Sequence, residues 1–598
     1  MFKFLILKEV QVNMNYKLSN NKEADKKQSF ASAAKRLWQL VPGETPRLVM
    51  AMIAVTLNSF LNLLSPFLVG YAVDHYFPTK DFQGIINIGL ILMGVYLMAF
   101  VTHFLQVKLM GGLGQRLLFT LRNAIFAKLQ ALPLAFFNQN KAGDLISRIN
   151  NDTDNLNQFF SQSLMQFIGS IFIMTGAAVF ILVLNLKLAL FSLIPAVLML
   201  IFTKLVSPWV KSKNAKSLQK IGGLSGEIQE SLSNFKVIVA FNRRNYFRDK
   251  FNEVNEENYT AAKEAGVANN IFTPVYQLGS SLAQLVVFSV GVYMISKGEL
   301  TVGLLIGFIM YMSKFYDPVR QLAAVWATFQ TAMAAWDRIS KILSMESDMP
   351  IIVDKTKHAQ DLLDLQDVSF HYPDGKEVLK NVNISLEREK TYALVGPTGG
   401  GKTTTASLMA RLFDPTSGKV LLDGKDIRSY DDAARTKKIG FILQEPYLFT
   451  GSIRENIVYG DEELSRLTVE ELEDRLKEAN LDHLAQRFEK GLDTQVLNNG
   501  DSISLGQRQL IAFIRAVLRK PDLLILDEAT ANIDTVTEQL LEDVLAKLPA
   551  HTTRVVIAHR LNTIQNADEI FFVNSGEVTM AGSLEHAVEM LLNDKRKS

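Results

Sequence analysis

Six apolar stretches, at 48–73, 84–109, 160–184, 188–206, 271–295 and 302–325, all lie in the first 330 or so residues. Each is close to or above the roughly 20 residues that a helix needs to cross a bilayer. One soluble core cannot bury that much apolar surface, so the pattern commits the front of the chain to a membrane. The remainder is ordinary globular sequence, and the 598-residue average (21% charged, mean hydropathy +0.12) is a blend of two unlike parts. Short connections join spans one and two, three and four, and five and six, whereas long polar helical segments separate two from three and four from five. The long segments carry Arg116, Arg122, Lys128, Arg148, Lys211, Lys213, Lys216, Arg243 and Arg244, against Lys80, Lys187 and Lys297 in the short ones. This bias predicts that the long loops, both termini and the soluble part lie on the cytoplasmic side of the cell membrane.

Within the spans, Pro66, Pro195, Pro274 and Pro318 are expected to be tolerated as kinks packed against neighbouring helices. Asn58, Asn62, His103, Gln106, Gln162, Gln166, Gln277, Ser280, Ser281 and Gln284 should face the bundle interior, most of them in interhelical hydrogen bonds and a subset lining a cavity. Intramembrane charge is scarce, limited to Lys314 and Asp317 in the last span and Asp74 near an end, which argues against a proton relay.

A net charge of +2 argues against a nucleic-acid partner, and the absence of cysteine excludes disulfides, thiolate nucleophiles and cysteine metal sites. Lys3 and Lys8 interrupt the apolar start, so no signal peptide is read there. The polar segment 15–28 reads as disordered, Met14 is a candidate start, and 30–40, with Trp38, reads as an amphipathic helix on the inner leaflet.

The soluble part carries Tyr392-Ala393-Leu394-Val395 followed by Gly396-Pro397-Thr398-Gly399-Gly400-Gly401-Lys402-Thr403-Thr404. Glycines in this spacing let backbone NH groups turn in around a polyphosphate, Lys402 reaches the terminal phosphates, and the Thr403 hydroxyl suits Mg²⁺. Downstream, the strand Leu523-Leu524-Ile525-Leu526 delivers Asp527 to the metal shell, with Glu528 beside it to polarise a water. Together these point to an ATP-hydrolysing domain.

Further motifs stand around these in chain order: Phe370-His371-Tyr372 before the glycine loop, Phe441-Ile442-Leu443-Gln444-Glu445-Pro446 and Ile503-Ser504-Leu505-Gly506-Gln507-Arg508 between it and Asp527, and Ala531-Asn532-Ile533-Asp534 and Ile557-Ala558-His559-Arg560 after. In this order they resemble the nucleotide-binding domain of ATP-binding cassette transporters, and the six spans in front resemble a type IV exporter half-transporter. The resemblance covers the chain from about residue 30 onward. It implies a six-helix transmembrane domain followed by an α/β P-loop ATPase with an antiparallel β subdomain and a helical subdomain. The expected boundaries are 1–28 for a disordered terminus, 29–335 for the transmembrane domain, 336–360 for a linker and 361–598 for the nucleotide-binding domain.

The same resemblance assigns roles. It implies that Tyr372 stacks on adenine, Gln444 joins the metal and the attacking water to the membrane half, Glu528 is the general base, and His559 holds the γ-phosphate and orients that base. Ser504, with Gly506, Gln507 and the NH groups of the following helix start, would cap the γ-phosphate of ATP bound to a partner's phosphate loop. Asp534 completes the nucleotide-binding set, and Thr403, Gln444 and Asp527 the Mg²⁺ set. A dimer with two shared ATP sites is therefore implied. Residues 142–152 and 233–241 resemble the two coupling regions of the long loops.

Departures from the family pattern cluster in the signature region. Leu505 stands where a glycine is usual and is expected to restrict both φ and approach to phosphate; residues 497–499 replace the usual Gly-Glu-Arg, and Ala531-Asn532 replaces Ser-Ala. With Lys402, Asp527, Glu528 and His559 intact, the chain resembles one subunit of a heterodimeric exporter of amphipathic drugs or lipids. The alternatives are a homodimeric lipid flippase-type exporter and a regulatory or channel-like subunit with little hydrolysis.

Overall fold

The computed structural model describes residues 15–18, 43–354, 361–373, 375–497, 503–527, 535–546, 548, 551–557 and 564–594. The chain divides into two compact units, one of Asn20–Leu129 with Gly143–Ser344, the other of Met345–Ser598 with Gln130–Ala142 and Met1–Ser19.

The first unit is helical: α1 (Thr45–His75), α2 (Phe82–Gln130, whose last residue already groups with the second unit), α4 (Ala142–Leu184), α5 (Leu186–Ser233), short α6 (Phe235–Ala240), α7 (Arg244–Ser296) and α8 (Val302–Ser344); α3 (Leu134–Gln139) lies in the second unit. Among the described residues, α1, α2, α4, α5 and α7 are long and apolar enough to cross a membrane. The expected sixth span, α8, packs in the same bundle, but Lys314 and Asp317 dilute its apolarity. At 49 and 48 residues, α2 and α5 each run for about 70 Å, over twice the ~30 Å hydrocarbon thickness, so each must project far beyond it.

Leu, Ile, Phe and Met along α2 stay exposed, Phe100 at 69%, as side chains in contact with lipid would be. The buried seam of the bundle instead joins Leu63, Ala177, Val287, Phe308, Tyr311 and Met312. The polar residues expected to point inward include three that bridge helices. Asn58 Nδ2 donates to the Ala99 carbonyl at 2.7 Å and to Thr102 Oγ1 at 3.1 Å, Gln166 Nε2 to Gln321 Oε1 at 3.1 Å, and Gln284 Nε2 to Ser313 Oγ at 3.3 Å. Pro66, Pro195 and Pro318 lie inside continuous helices, whereas Pro274 sits in the first turn after a break at Ile271, where its missing NH costs least.

Outside the spans, the first α-helical residues of α4, Ala142–Ser147, pass into a π-helical turn at Arg148–Asp152. Asp152, 3% exposed, accepts from Arg338 Nε at 2.8 Å and from its Nη2, and Arg148 Nη1 donates to the Arg338 carbonyl at 3.0 Å. Residues 142–152, which resemble a coupling region, form the start of a long helix fastened to α8. The turn itself is Pro133 with α3, because Pro133 ends α2 and holds an extended ψ of 163° before α3. The second such region, 233–241, contains the short helix α6.

The other unit is α/β. Its strands are β1 (Leu363–His371), β2 (Glu377–Leu386), β3 (Thr391–Val395), β4 (Ser417–Leu422), β5 (Lys425–Asp426), β6 (Ile439–Ile442), β7 (Gly451–Ser452), β8 (Gln495–Val496), β9 (Leu523–Asp527), β10 (Thr553–Ile557), β11 (Glu569–Asn574) and β12 (Glu577–Met580). A sheet in the order β12-β11-β3-β10-β9-β6 is parallel except at β12, and β2-β1-β4-β5 form an antiparallel sheet. In β9 all five residues are buried, which explains its unbroken apolar run. A helical cluster around Leu472, Leu476, Leu484 and Phe513 completes the unit.

Three boundaries differ from expectation. The last bundle helix continues to Ser344 rather than stopping at 335, since its heptad-like apolar positions Ala332, Ala335, Ile339 and Ile342 remain fully buried. Residues 130–142, placed in the transmembrane domain, group with the α/β unit. Residues 15–18, expected in a disordered terminus, are held in place. Tyr16 is 4% exposed against Phe136, Tyr16 N donates to Gln139 Oε1 at 2.9 Å, Leu18 N donates to Asn140 Oδ1 at 3.0 Å, and Asp348 N donates to the Tyr16 hydroxyl at 2.8 Å. Burial and the contact with Asp348 push the Tyr16 phenol well above its usual pKa. Segments 19–28 and 30–40 lie outside the described residues.

Candidate active site

At the carboxyl end of β3 the chain turns through Gly396 (φ +145°), Gly399 (φ +82°) and Gly401 (φ +116°) into α9 (Lys402–Met409). Close packing adds a second demand on this loop. A Cβ on Gly396 would lie 2.0 Å from the Val573 carbonyl oxygen, and one on Gly400 2.5 Å from the same atom, so the end of β11 braces the turn. Thr398 occupies the crown of the turn. The first-turn NH groups of α9 and its positive dipole end face outward at the strand ends, an anion-binding arrangement. Lys402 is buried, and its Nζ donates to the carbonyls of Gly396 at 2.9 Å and Pro397 at 3.0 Å, which folds the ammonium over the loop.

Parallel register brings the second strand alongside. Ile557 of β10 sits opposite both Leu394 of β3 and Asp527 of β9, so the three strands end at one edge. There Thr403 Oγ1 donates to Asp527 Oδ1 at 3.3 Å. A hydroxyl and a buried carboxylate at this separation are hard oxygen donors that suit Mg²⁺.

Tyr372 is half-buried beside this loop, its ring edge-on to Phe370 and Phe413 at 5.0 and 5.6 Å and its hydroxyl 3.1 Å from Thr404 Oγ1. Gln444 is exposed two residues beyond β6, whose Ile442 pairs with Leu526, so it leaves the sheet on the edge that holds Asp527. Glu528, Asp534 and His559, with residues 498–500 and 531–532, lie outside the described residues; β9 and β10, which precede Glu528 and His559, end at the edge just described.

Two residues that hold the Gln444 loop escaped the sequence reading. Following α10 (Ile453–Ile457) in the chain, α11 (Val469–Glu478) leads on to α12 (Leu505–Val517), the helix of the signature segment. Asn456 of α10 accepts from Phe449 N at 2.8 Å and donates to its carbonyl at 2.8 Å. Arg515 of α12 donates to the Asn456 carbonyl at 2.7 Å, to Asn456 Oδ1 at 3.1 Å and to the Tyr447 carbonyl at 3.2 Å. Burial, with Arg519 nearby, pushes the Arg515 pKa down to about 10, and among the described residues no carboxylate forms an ion pair with it. The only local signal was an Arg in a helix otherwise buried on that face.

The signature segment starts α12. Ser504 is its N-cap, with Gln507 N donating to Ser504 Oγ at 3.2 Å and Ser504 N donating to Gln507 Oε1 at 3.0 Å, a reciprocal capping box; Gly506 is buried one residue before Gln507. Leu505 is the first helical residue, where φ near −60° suits any side chain, so the expected restriction on φ does not arise. Only its bulk at the helix mouth remains.

Residues 48–319 match the family of ABC transporter transmembrane regions, and residues 379–531 match the ABC transporter family. An uncharacterised ABC transporter ATP-binding protein of Bacillus subtilis is 34% identical over 98% of this chain and 97% of its own length. A fatty acid ABC transporter ATP-binding/permease protein of Mycobacterium bovis is 31% identical over 88% of this chain and 82% of its own. An ATP-dependent lipid A-core flippase of Syntrophus aciditrophicus is 30% identical over 92% and 91%. The chain belongs to the ABC transporters, as an exporter with one membrane region and one ATPase domain fused in a single multi-pass polypeptide.

Proposed function

We propose that this chain is half of an ATP-driven exporter that moves amphipathic, lipid-like molecules out of the cytoplasmic leaflet, with the ATPase in the cytoplasm. The observation that carries the reading is the Thr403–Asp527 contact beside a glycine loop that no side chain could replace. The relatives named for fatty acids and lipid A-core support a lipid-like cargo, and the Lys and Arg bias of the long segments supports the orientation.

On this reading Tyr372 packs on the adenine, and the loop NH groups with Lys402 offset the polyphosphate charge. Thr403, Asp527 and Gln444 would hold Mg²⁺, which when bound supplies positive charge against the phosphate oxygens. Glu528 takes a proton from the attacking water as its oxygen bonds to the γ-phosphorus, the bond to the β-bridging oxygen breaks and ADP leaves. His559 steadies Glu528. Ser504 and the start of α12 complete the ATP site of a second subunit, so the unit that works is a dimer; α3 and α6 are the proposed coupling helices. The helical geometry of Leu505 favours a second reading, a homodimer, because no backbone penalty separates this signature from the usual one.

Vanadate-sensitive ATP turnover and ATP-dependent uptake of a fluorescent phospholipid into inside-out vesicles test the reading. Both should disappear in Lys402→Ala, and ATP-independent uptake of equal size in both proteins would refute it.

A further inference from the structure

At the end of the bundle where α1 gives way to α2 and α7 to α8, a cavity of about 450 Å³ opens between α1 and α8. Phe67, Tyr71 and His75 stand one helical turn apart on α1 and line it as a ladder of rings. The Phe67 and Tyr71 centroids are 6.5 Å apart and those of Tyr71 and His75 4.0 Å, near-parallel in both pairs. Phe67 and Tyr71 remain 46% and 40% exposed, so their surfaces are available.

Beside the ladder, Asp74 is held by two hydrogen bonds. Its Oδ2 accepts from the Thr301 hydroxyl at 2.5 Å and its Oδ1 from Gly303 N at 2.7 Å, while among the described residues no cation forms an ion pair with it. The wall behind is backbone against backbone, since a Cβ on Gly303 would lie 2.1 Å from the Gly70 carbonyl oxygen. An anionic group at a membrane helix end, beside stacked π-faces in a cavity of ligand size, is complementary to a positive charge carried on an apolar body.

We propose that this cavity binds the head group of a cationic amphiphile, an alkylammonium, with Asp74 as counter-charge and Tyr71 as the aromatic floor. The proposal deepens the export reading, on which it rests, by naming the charge class of the cargo. A fatty carboxylate would meet Asp74 as a like charge and should bind this cavity more weakly than the cation.

The test is equilibrium binding of radiolabelled dodecyltrimethylammonium and of dodecanoate, identical in chain length, to the full chain in neutral-lipid nanodiscs without nucleotide. The cation should bind saturably and at least about 10-fold more tightly than the anion; Asp74→Asn should abolish that preference, and Tyr71→Leu should weaken cation binding about 3-fold. Thr301→Val, which removes a hydrogen bond to the carboxylate but not its charge, should keep the preference. Equal affinities, no saturable binding, an unaltered preference in Asp74→Asn, or an equal loss in Thr301→Val would each overturn the site, the last by showing that Asp74 serves only to cap α8. Charge-selective binding without ATP-dependent vesicle uptake would instead refute the export reading and leave the site standing.

Discussion

Thr403 donates its hydroxyl to Asp527 across 3.3 Å, although 124 residues separate them in the chain. The contact exists because β3 and β9 are both parallel neighbours of β10 and end level with each other, so the phosphate loop and the buried carboxylate face one point. A ligand bound outside the carboxyl ends of such strands meets the helix dipole and the carboxylate together.

Lys402→Ala removes the ammonium now folded onto Gly396 and Pro397, leaving only neutral donors for the terminal phosphates. ATP affinity should fall about 10-fold or more, as expected for loss of a charge-assisted contact. Titration with a fluorescent ATP analogue reads this out, and unchanged affinity would remove Lys402 from the site.

Asp423 gives a pH-dependent stability term. Its burial alone would raise its pKa, but Lys438, with Nζ 2.9 Å from Oδ2, and Arg388 hold the carboxyl below the usual range. A folded pKa below the unfolded one contributes stability above the unfolded value and loses it as pH falls through the folded one. Asp423→Asn should therefore cost about 1–2 kcal/mol at neutral pH, discounted because both cations are partly exposed. The deficit should shrink below about pH 4 as the wild-type carboxyl also becomes neutral. Thermal unfolding of the detergent-solubilised chain across that range checks the sign.

Much of the architecture was readable because its signals are local. Apolar runs of bilayer length, the glycine loop after β3 and the four-residue apolar run before Asp527 each carry their meaning within a few residues. The pairing of Asp152 with Arg338, 186 positions apart, had no such signal. That is why the docking of 142–152 on α8 was not legible, since a solvated helix and a docked one have similar polar composition. Tyr16 was hidden for a related reason: a polar stretch reads as disordered until Phe136, Gln139, Asn140 and Asp348 supply partners. For Leu505 the expectation failed differently, because the conformational need for glycine depends on whether the position lies before or inside the helix, and it lies inside.

Leu505 also separates the two dimer readings. If the chain works with a different partner, the chain alone should show little ATPase activity, co-expression with a second half-transporter should restore it, and Leu505→Gly should alter turnover less than Glu528→Gln. Two equivalent, active sites in the purified chain alone would establish the homodimer.

The central claim is that this polypeptide hydrolyses ATP through its own phosphate loop and the acidic residue that follows Asp527. Steady-state ATP turnover by Glu528→Gln, beside wild type in the same functional dimer, tests it most directly. Because a carboxamide cannot take the proton from the attacking water, turnover should drop about 10²-fold with ATP binding retained. Turnover within twofold of wild type, about 0.4 kcal/mol in barrier height, would contradict the claim.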